Sequence, residues 1–278
     1  MNKEYIKIRN HHIFHDYYSR LKEIALTLFE WCNLPETCNA RFLEDCLFHY
    51  GKAVFVEDAD MAFLNLKVTP ASTLNVYNEP LSFTAFSTGY HKIYDADDCV
   101  IIRNNLLEKS TDSTILIFAE RLAMIQLAMD VNINAQKTPV LIRCEEKTLT
   151  SLKQIYSQYQ GNMPVIFSPK SFDPSVFAVL KTDAPFVADK LREEKTAVWN
   201  EALEFLGLNT NPSDKKKERL IVNEVDANNE QIDIQSFAML TARETACKQI
   251  NEMFGLNVSV KKRIDTNKPE VKEGVNVG

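Results

Sequence analysis

The chain has 278 residues, 45% hydrophobic and 25% charged, so it is long enough for one or two domains with a sizeable core. Its formal charge of −6 excludes a chain-wide attraction to nucleic acid or anionic membranes and leaves only local basic clusters for a polyanion. The longest apolar run, Ile115–Ala119, is too short to span a membrane, and the first twelve residues lack an export signal. We therefore expect a soluble globular protein.

Glycine and cysteine usage narrows the possibilities further. The seven glycines do not cluster into a loop that could cradle a phosphate, so we expect no ATP hydrolysis. Scattered cysteines in a chain of this length predict reduced thiols and synthesis inside a cell, not a disulfide framework. The six are Cys32, Cys38, Cys46, Cys99, Cys144 and Cys247.

The first part of the chain predicts two helices and then a small β module. Apolar residues at helical spacing predict a long opening helix, Phe14–Trp31, ended by Pro35. A second helix is expected after Asn39, ending at Gly51. Four β-rich pieces separated by proline, glycine and acidic turns then predict strands at Ala53–Val56, Phe63–Val68, Leu74–Tyr77 and Cys99–Arg103.

Two long helices are expected to flank a compact insert. Ser113 is a candidate cap for a helix over residues 113–134. The other lies within Lys181–Asn209, with Pro185 in its first turn and Gly207 in a left-handed cap. The α+β insert between them, residues 135–184, contains expected strands at Pro139–Arg143 and Val165–Phe167, with a helical turn carrying Leu152, Ile155, Tyr156 and Tyr159.

The helix within Lys181–Asn209 has apolar stripes on one side and a polar, mostly acidic opposite side. This pattern is typical of an ordinary half-buried helix and also of a wall between protein and water, and both interpretations stay open. The polar side carries Asp189, Glu193, Thr196, Asn200 and Glu204.

The C-terminal part begins with a polar stretch, residues 209–236, that we expect to be mobile. A last helix over Met239–Phe254 is expected to close at Gly255, and the alternating residues 256–264 predict a strand. Residues 265–278 have the composition of a disordered tail.

Clusters of potential metal ligands and acids do not match known constellations. Three cysteines and a histidine lie at spacings that differ from paired-thiolate zinc sites, and three histidines near the N-terminus are equally compatible with solvent exposure. Acids in two likely turns are typical of capping, with catalysis the minority interpretation. The possible zinc ligands are Cys32, Cys38, Cys46 and His49, and the N-terminal histidines are His11, His12 and His15. The acids in the two turns are Glu57, Asp58 and Asp60, and Asp95, Asp97 and Asp98. We therefore expect no cofactor, no metal and no catalytic site.

One basic cluster could hold a polyanion, although a solvated loop would have the same composition. It comprises Lys215, Lys216, Lys217 and Arg219. In a single copy of the chain, Lys181 and Lys190 do not indicate a binding site. Repeated around a ring of copies, each lysine would form a belt of positive charge. An acidic wall between such belts would repel phosphates, so DNA would be held weakly and without base recognition.

Eight segments of the chain carry a specific resemblance to one family. They are LFEWCNLP (28–35), NAQKTPVLIR (134–143), SLKQIYSQYQGNMPVIF (151–167), KTDAPFVADKL (181–191), AVWNE (197–201), KKER (216–219), NEQI (229–232) and INEMFGLNVSVK (250–261). They resemble the upper collar proteins of Salasmaviridae (Picovirinae-type) short-tailed bacteriophages, also called head-tail connectors or portals. The resemblance is dense from about residue 132 to 261.

The resemblance implies an α+β portal fold assembled as a homododecamer. In that family, long helices form a central stem, an α+β insert forms a clip, and the remainder forms a mixed wing. The corresponding ranges are 1–112 and 237–264 for the wing, 113–134 and 185–208 for the stem, 135–184 for the clip, 209–236 for a mobile channel loop and 265–278 for a disordered tail.

The resemblance also implies a non-enzymatic conduit for double-stranded DNA at one capsid vertex, assembled in the host cytoplasm and retained in the virion. The implied partners are the major capsid protein, a scaffolding protein, the lower collar or tail protein, a separate packaging ATPase and a packaging RNA, with no membrane. Family members can have a strongly basic N-terminal arm that engages this RNA. The first twelve residues here carry only Lys3, Lys7 and Arg9, so an RNA contact would rest on the clip.

Residue by residue, Lys181, Lys190, Lys216 and Lys217 match channel-facing lysines of that family, and residues 209–229 match its channel loops. Two other classes stay open from the residues alone. One is a DNA-recognition ring subunit of a packaging terminase, which would bind DNA sequence-selectively. The other is a nuclease or other metal enzyme, which would contain bound metal.

Overall fold

The structure, a computed structural model, describes residues 3–136, 140–144, 165–169, 185–208 and 222–263. For residues 3–9, 140–144, 165–169 and 222–237 it describes the backbone alone. The chain forms two compact units. The first comprises Met1–Ile13 and Arg121–Ala197, and the second comprises Phe14–Glu120 and Val198–Gly278.

The described residues form five α-helices, nine strands and one 3-10 turn. In chain order these are α1 (Lys3–Leu26), β1 (Phe29–Cys32), α2 (Ala40–Tyr50), β2 (Lys52–Asp58), β3 (Ala62–Pro70), β4 (Ser82–Ser87), β5 (Tyr90–Asp95), the 3-10 turn (Ala96–Asp98), β6 (Cys99–Arg103), α3 (Asp112–Ala135), β7 (Val140–Cys144), β8 (Val165–Pro169), α4 (Ala188–Phe205), α5 (Val222–Phe254) and β9 (Ser259–Lys262).

The opening helix differs from its prediction at both ends. It begins at Lys3 and ends at Leu26, where Thr27 donates its amide N–H to the carbonyls of Glu23 and Ile24. Trp31, which was expected in the helix, lies in β1 and pairs with Val260 of β9. Helical spacing was misleading here because the pairing with β9 gives residues 29–32 backbone partners that the sequence alone does not show.

The second helix is confirmed with both of its caps. The side chain of Asn39 accepts the amide N–H of Phe42 at 2.9 Å, which satisfies one of the otherwise unpaired donors of the first turn. Gly51 closes the helix with a φ of 76°, a left-handed conformation that favours glycine. A Cβ at this position would also collide with the backbone carbonyl of Glu108, so glycine is required for two reasons.

The predicted β module is a five-stranded antiparallel sheet with the order β5-β4-β3-β2-β6. Its two edge strands, β5 and β6, are joined by only the three-residue 3-10 turn. Four interstrand spacings would place the edges of a flat sheet about 19 Å apart, whereas three residues of 3-10 helix rise about 6 Å. The sheet therefore curls and encloses a core of Val54, Val56, Leu66, Val68, Phe83, Ala85, Tyr94 and Cys99.

One strand prediction was wrong and two strands were missed in this sheet. Residues 74–77 form a loop, because the side-chain oxygen of Asn75 accepts the amide N–H groups of Tyr77 and Glu79 and turns the chain. The missed strands are β4 and β5, which form a hairpin around Gly89. Their sequences mix polar and apolar residues because only one side of each faces the core.

Arg243 of α5 and Glu44 of α2 form a buried ion pair in the second unit. The Nε and Nη2 atoms of Arg243 donate to the two carboxylate oxygens at 2.9 and 2.8 Å, and both side chains are at most 5% exposed. Arg243 also donates to both oxygens of Asn104 and to the carbonyl of Met239. Trp31 donates its indole N–H to Glu44 at 2.8 Å. All five guanidinium N–H groups therefore have an acceptor.

The two long helices flanking the insert are confirmed, with corrected starts. The helix α3 begins at Asp112, so Ser113 lies in its first turn, and the carbonyl of Thr111 accepts the first helical bond, from Ile115. The helix α4 begins at Ala188, so Pro185 precedes it and does not occupy its first turn. Pro185 instead offers its carbonyl to the Asn132 side chain.

The C-terminal end of α4 closes as predicted, in a Schellman motif. Gly207 has a φ of 73°. The amide of Leu208 donates to Leu203 and that of Gly207 donates to Glu204, both at 2.9 Å. These bonds satisfy two carbonyls that the end of the helix would otherwise leave unpaired.

Both strands predicted for the insert are confirmed. They are β7 and β8, and they pair in parallel with Val140 opposite Val165 and Cys144 opposite Pro169. The helical turn predicted between them lies outside the described residues. Parallel strands require a crossover connection, so their pairing is consistent with a connecting segment of this length.

The last helix begins at Val222, well before its predicted start at Met239, so it includes the second half of the stretch 209–236, whose expected mobility stays a prediction. Residues 222–236 belong to α5, which runs without interruption to Phe254, and residues 209–221 lie outside the described residues. The stretch is polar, but residues 222–238 contain neither glycine nor proline, so nothing in them breaks a helix. Gly255, with a φ of 65°, ends α5 as predicted.

The strand predicted after the last helix is also confirmed. It is β9, which pairs antiparallel with β1, so that Phe29 lies opposite Lys262 and Cys32 opposite Ser259. The amide of Arg263 continues the ladder by donating to the carbonyl of Leu28. Residues 265–278, for which a disordered tail was expected, lie outside the described residues.

Replacing Arg243 with Met should destabilise the protein strongly. The substitution leaves the Glu44 carboxylate buried without its partner, so we expect a loss of about 3 to 5 kcal/mol in the free energy of unfolding, measured by urea denaturation. The double variant Arg243→Met, Glu44→Leu should recover much of that loss because no buried charge remains. Stability close to wild type in the single variant would contradict this role of the ion pair.

Lowering the pH should destabilise the curled sheet through Asp58. Hydrogen bonds from Tyr90 at 2.7 Å and from the amide of Asp60 at 3.0 Å, together with Lys92, hold the pKa of Asp58 well below its usual value. A carboxyl with a lowered pKa contributes stability above its unfolded pKa of about 3.9, and the contribution is lost as the pH falls below that value.

We therefore expect the free energy of unfolding to fall as the pH is lowered from about 5 towards 2, with a shallower fall in Asp58→Asn. Thermal unfolding at a series of pH values measures both slopes, and Asp98→Asn, an exposed acid in the 3-10 turn, is the matched control. Equal slopes in wild type and Asp58→Asn would refute the assignment.

Candidate functional site

The start of α4 is fastened to α3 within the first unit. The side chain of Asn132 donates to the carbonyl of Pro185 and accepts the amide N–H of Val187, both at 3.0 Å. About two turns further along α4, Lys195 donates to the Gln126 side chain at 2.9 Å. These hydrogen bonds join the two neighbouring helices at two positions along their length.

A row of apolar side chains lies exposed on α3 of the first unit. Met124 and Val131 are 64% and 69% exposed, and Ala128 and Ala135 are exposed beside them. Their spacing of four, three and four residues places all four on one face of the helix. We call this face the α3 strip. Large apolar residues on an ordered helix are a signature of a contact with another surface.

The polar side of α4 is confirmed as solvent-facing in its first part. Asp189, Glu193 and Thr196 are exposed, whereas Asn200 and Glu204 are half-buried. Over residues 188–205 the helix carries five acidic and three basic side chains, so it is net acidic. This charge agrees with the expected weakly repelling surface towards phosphates.

Lys190 is the one predicted channel residue that lies within the described part of the chain. It is exposed near the start of α4, and it makes no hydrogen bond or ion pair with another described residue. The remaining predicted residues lie outside the described ranges, so the structure brings no set of them together. They are Lys181, Lys215, Lys216, Lys217 and Arg219.

Trp199 of α4 contacts α1 within the second unit. Its ring centre lies 6.5 Å from that of Tyr17, and the guanidinium carbon of Arg20 lies 4.8 Å from the indole centre, in a cation–π arrangement. The apolar stripes predicted for this helix are buried in the same part of it, with Val198 and Ala202 almost fully covered.

Three side chains of the possible zinc site, Cys38, Cys46 and His49, have surroundings that disfavour metal binding. Lys22 donates to Nε2 of His49 at 2.7 Å, so Nδ1 carries the proton and donates to Asp112 at 2.9 Å. Burial raises the pKa of the Cys38 and Cys46 thiols to about 11, which disfavours the thiolate that a metal needs. Among the residues that the structure describes, no group of three or more potential ligands converges.

None of the described helices combines the length and the apolar character needed to cross a bilayer.

The sequence and the fold both match phage connectors. A family model described as Phage Connector (GP10) matches residues 1–267, so the protein belongs to this family. The fold is similar to a solved structure described as "Portal and tail of native bacteriophage P68", with a TM-score of 0.50 and 15% sequence identity over 96% of this chain and 93% of that chain. At this identity the similarity concerns the fold alone.

The protein is therefore a bacteriophage head-tail connector with a mixed α and β portal fold, and the resemblance drawn from the sequence is confirmed. Connectors of this family are structural components of the phage particle, and the family is not one of enzymes. The structure adds the α3 strip, which the sequence analysis missed. The signal was present as the recurrence of Met124, Ala128, Val131 and Ala135 at helical spacing.

Proposed function

We propose that the protein assembles as a ring of twelve copies around a channel that conducts double-stranded DNA during packaging and ejection of the phage genome. The observation that carries this proposal is the α3 strip: an ordered helix, fastened to α4, that leaves large apolar side chains in water. The number twelve comes from the resemblance to portal proteins.

Burial of the α3 strip against a neighbouring copy supplies a driving force for assembly. Met124 and Val131 each retain about two thirds of their exposable surface. Covering such side chains contributes on the order of 1 to 2 kcal/mol each at about 25 cal/mol per Å². In a ring, every copy offers this face to one neighbour and a different face to the other, so the contribution repeats at each interface.

The charge of α4 supports a conduit that does not grip DNA. Its net acidic surface repels phosphates, and Lys190 offers one weak contact per copy. Few counterions are released by so few contacts, so DNA would slide and its sequence would not be read. Lys181, Lys215, Lys216, Lys217 and Arg219 add further basic contacts in this proposal, and the segment between α4 and α5 serves as the channel loop.

The resemblance to portals supports the remaining assignments. Residues 113–134 and 185–208 form the stem, 135–184 the clip, and 1–112 with 237–264 the wing. The ring contacts the major capsid protein, the scaffolding protein and the lower collar or tail protein, and a separate ATPase drives packaging. A packaging RNA is bound through the clip, and assembly takes place in the host cytoplasm.

The ring can be tested by placing negative charge on the α3 strip. Met124→Glu with Val131→Glu should abolish rings, because the interface would bury two carboxylates without partners. Folding should be unaffected, since both side chains face water in the single chain. Negative-stain electron microscopy and sedimentation velocity measure assembly, and thermal unfolding measures folding.

The control is Ile93→Glu, which puts one glutamate on a 60% exposed apolar residue of β5. Control rings should form normally. Rings of normal yield in the double variant would disprove the role of the strip in assembly.

The conduit can be tested separately through the basic cluster. Lys216→Ala with Lys217→Ala should leave rings intact but reduce the fraction of particles that retain a full-length genome, because backsliding DNA would meet fewer positive charges. Lys261→Ala, an exposed lysine of β9 that pairs with Glu30, is the control. Normal genome retention in the double variant would disprove the role of Lys216 and Lys217 in holding packaged DNA. Sequence-selective DNA binding by isolated rings would indicate a terminase subunit instead of a conduit.

A further inference from the structure

The two edges of the curled sheet differ in their chemistry. The β5 edge carries His91, Lys92 and Asp95, and charged side chains on an edge strand discourage pairing with another chain. The β6 edge, Cys99–Arg103, has four apolar residues in succession and neither lysine nor proline. It therefore lacks the lysine and proline that often protect a free edge, and the neighbouring element is α5, which packs against the strand.

The register of β6 shows which backbone groups point away from the sheet. The amide of Asn104 donates to the carbonyl of Gly51, and Arg103 is paired with Lys52. Hydrogen-bonded pairs alternate along an antiparallel ladder, so Arg103, Ile101 and Cys99 belong to the pairs whose N–H and C=O groups face outwards. The described part of the chain provides no backbone hydrogen bond to these groups.

A groove with both polar and apolar walls runs beside this free edge. It has a volume of about 1210 Å³, larger than the pockets of about 300 to 1,000 Å³ that hold small molecules. The β6 strand, the β3–β4 loop, the β6–α3 loop and the last turn of α5 line it. Its exposed apolar side chains are Leu74 (54%), Leu106 (80%), Leu107 (77%) and Met253 (41%).

The groove is formed before any partner arrives. The β3–β4 loop is held by the Asn75 side chain, by the backbone bond from Asn75 to Glu79 and by the bridge between Leu74 and Pro80. A wall that is already ordered lowers the entropy lost on binding.

The charges around the groove select the kind of occupant. Lys52 and Arg103 donate to Glu108 at 2.7 and 2.9 Å, so one carboxylate offsets part of these two positive charges within the wall. Burial alone would raise the pKa of Glu108, but these two hydrogen bonds outweigh it and the pKa is lowered, which keeps the carboxylate charged. The exposed acids Glu79 and Glu252 remain at the rim and disfavour phosphates.

We propose that this groove binds an extended segment of a different protein of the phage particle, which adds to β6 as a further strand. The outward amides and carbonyls of β6 supply main-chain hydrogen bonds, and alternate apolar side chains of the segment pack against Leu106, Leu107 and Met253. Basic residues flanking the segment match Glu79 and Glu252. The inference rests on the proposed function in one respect, that the connector resides in the particle as a ring.

A second copy of this chain fits the groove less well. Pairing of β6 with β6 of another copy is isologous and closes as a dimer, whereas a ring needs two different faces. The edge strands β5 and β9 carry Lys92, Lys261 and Lys262, which discourage them from pairing with a neighbour.

Hydrogen exchange tests the proposal on the intact protein. The amides of Ile101 and Arg103 should exchange rapidly in isolated rings and at least about tenfold more slowly in purified phage particles. Rapid exchange in both would overturn the inference, since the edge would remain free. Slow exchange already in isolated rings would overturn it too, because the occupant would then be this chain itself. Absence of rings in micrographs of the isolated protein is a separate result that counts against the proposed function.

The variant Leu106→Glu with Leu107→Glu provides the second arm. Both side chains are at least 77% exposed, so ring formation and the melting temperature should not change. Particles should take up this variant at least about tenfold less than wild type, while the control Ile93→Glu is taken up normally. Normal uptake together with slow exchange at β6 would refute the groove as the binding surface.

Discussion

The buried ion pair between Arg243 and Glu44 is the interaction on which the second unit depends. It joins α5 to α2 directly and to the β6–α3 loop through Asn104, while Trp31 attaches β1 to the same carboxylate. The guanidinium also lies 4.2 Å from the ring centre of Phe29. Four segments far apart in sequence therefore meet at one charge, and the satisfied hydrogen bonds fix their geometry more specifically than apolar packing would.

The curled sheet is positioned by this cluster and by aromatic packing on its outer side. Phe55 of β2, Phe63 of β3 and Phe254 at the end of α5 have ring centres 5.5 to 5.7 Å apart. This packing holds the last turn of α5 beside the sheet, where Met253 forms part of the wall of the groove. The same contacts that stabilise the unit thus position one wall of the proposed binding surface.

The sequence predicted correctly several helix ends, which are determined by the residues at the ends themselves. Asn39, Gly51, Gly207 and Gly255 marked helix ends correctly, because caps depend on one or two residues. The starts expected at Ser113 and Pro185 and the strand expected at residues 74–77 were nevertheless local errors. Other errors arose where distant pairing decides the outcome. Phe29–Cys32 forms a strand because β9 lies beside it. The curl of the five-stranded sheet follows from the short 3-10 turn between β5 and β6, and the sequence alone does not show that these two strands are opposite edges of the sheet. Of the predicted channel lysines, only Lys190 lies within the described residues. The α3 strip could not be identified from the sequence alone, because the sequence does not show which helix faces the rest of the chain covers.

The length of α5 has a mechanical consequence. With 33 residues and a rise of about 1.5 Å per residue, it is a rod of roughly 50 Å that starts directly after the segment following α4 and ends at Phe254. An uninterrupted helix without glycine or proline resists bending. Its two ends, Val222 beside the segment that follows α4 and Phe254 in the aromatic cluster beside the groove, are therefore joined by one continuous element.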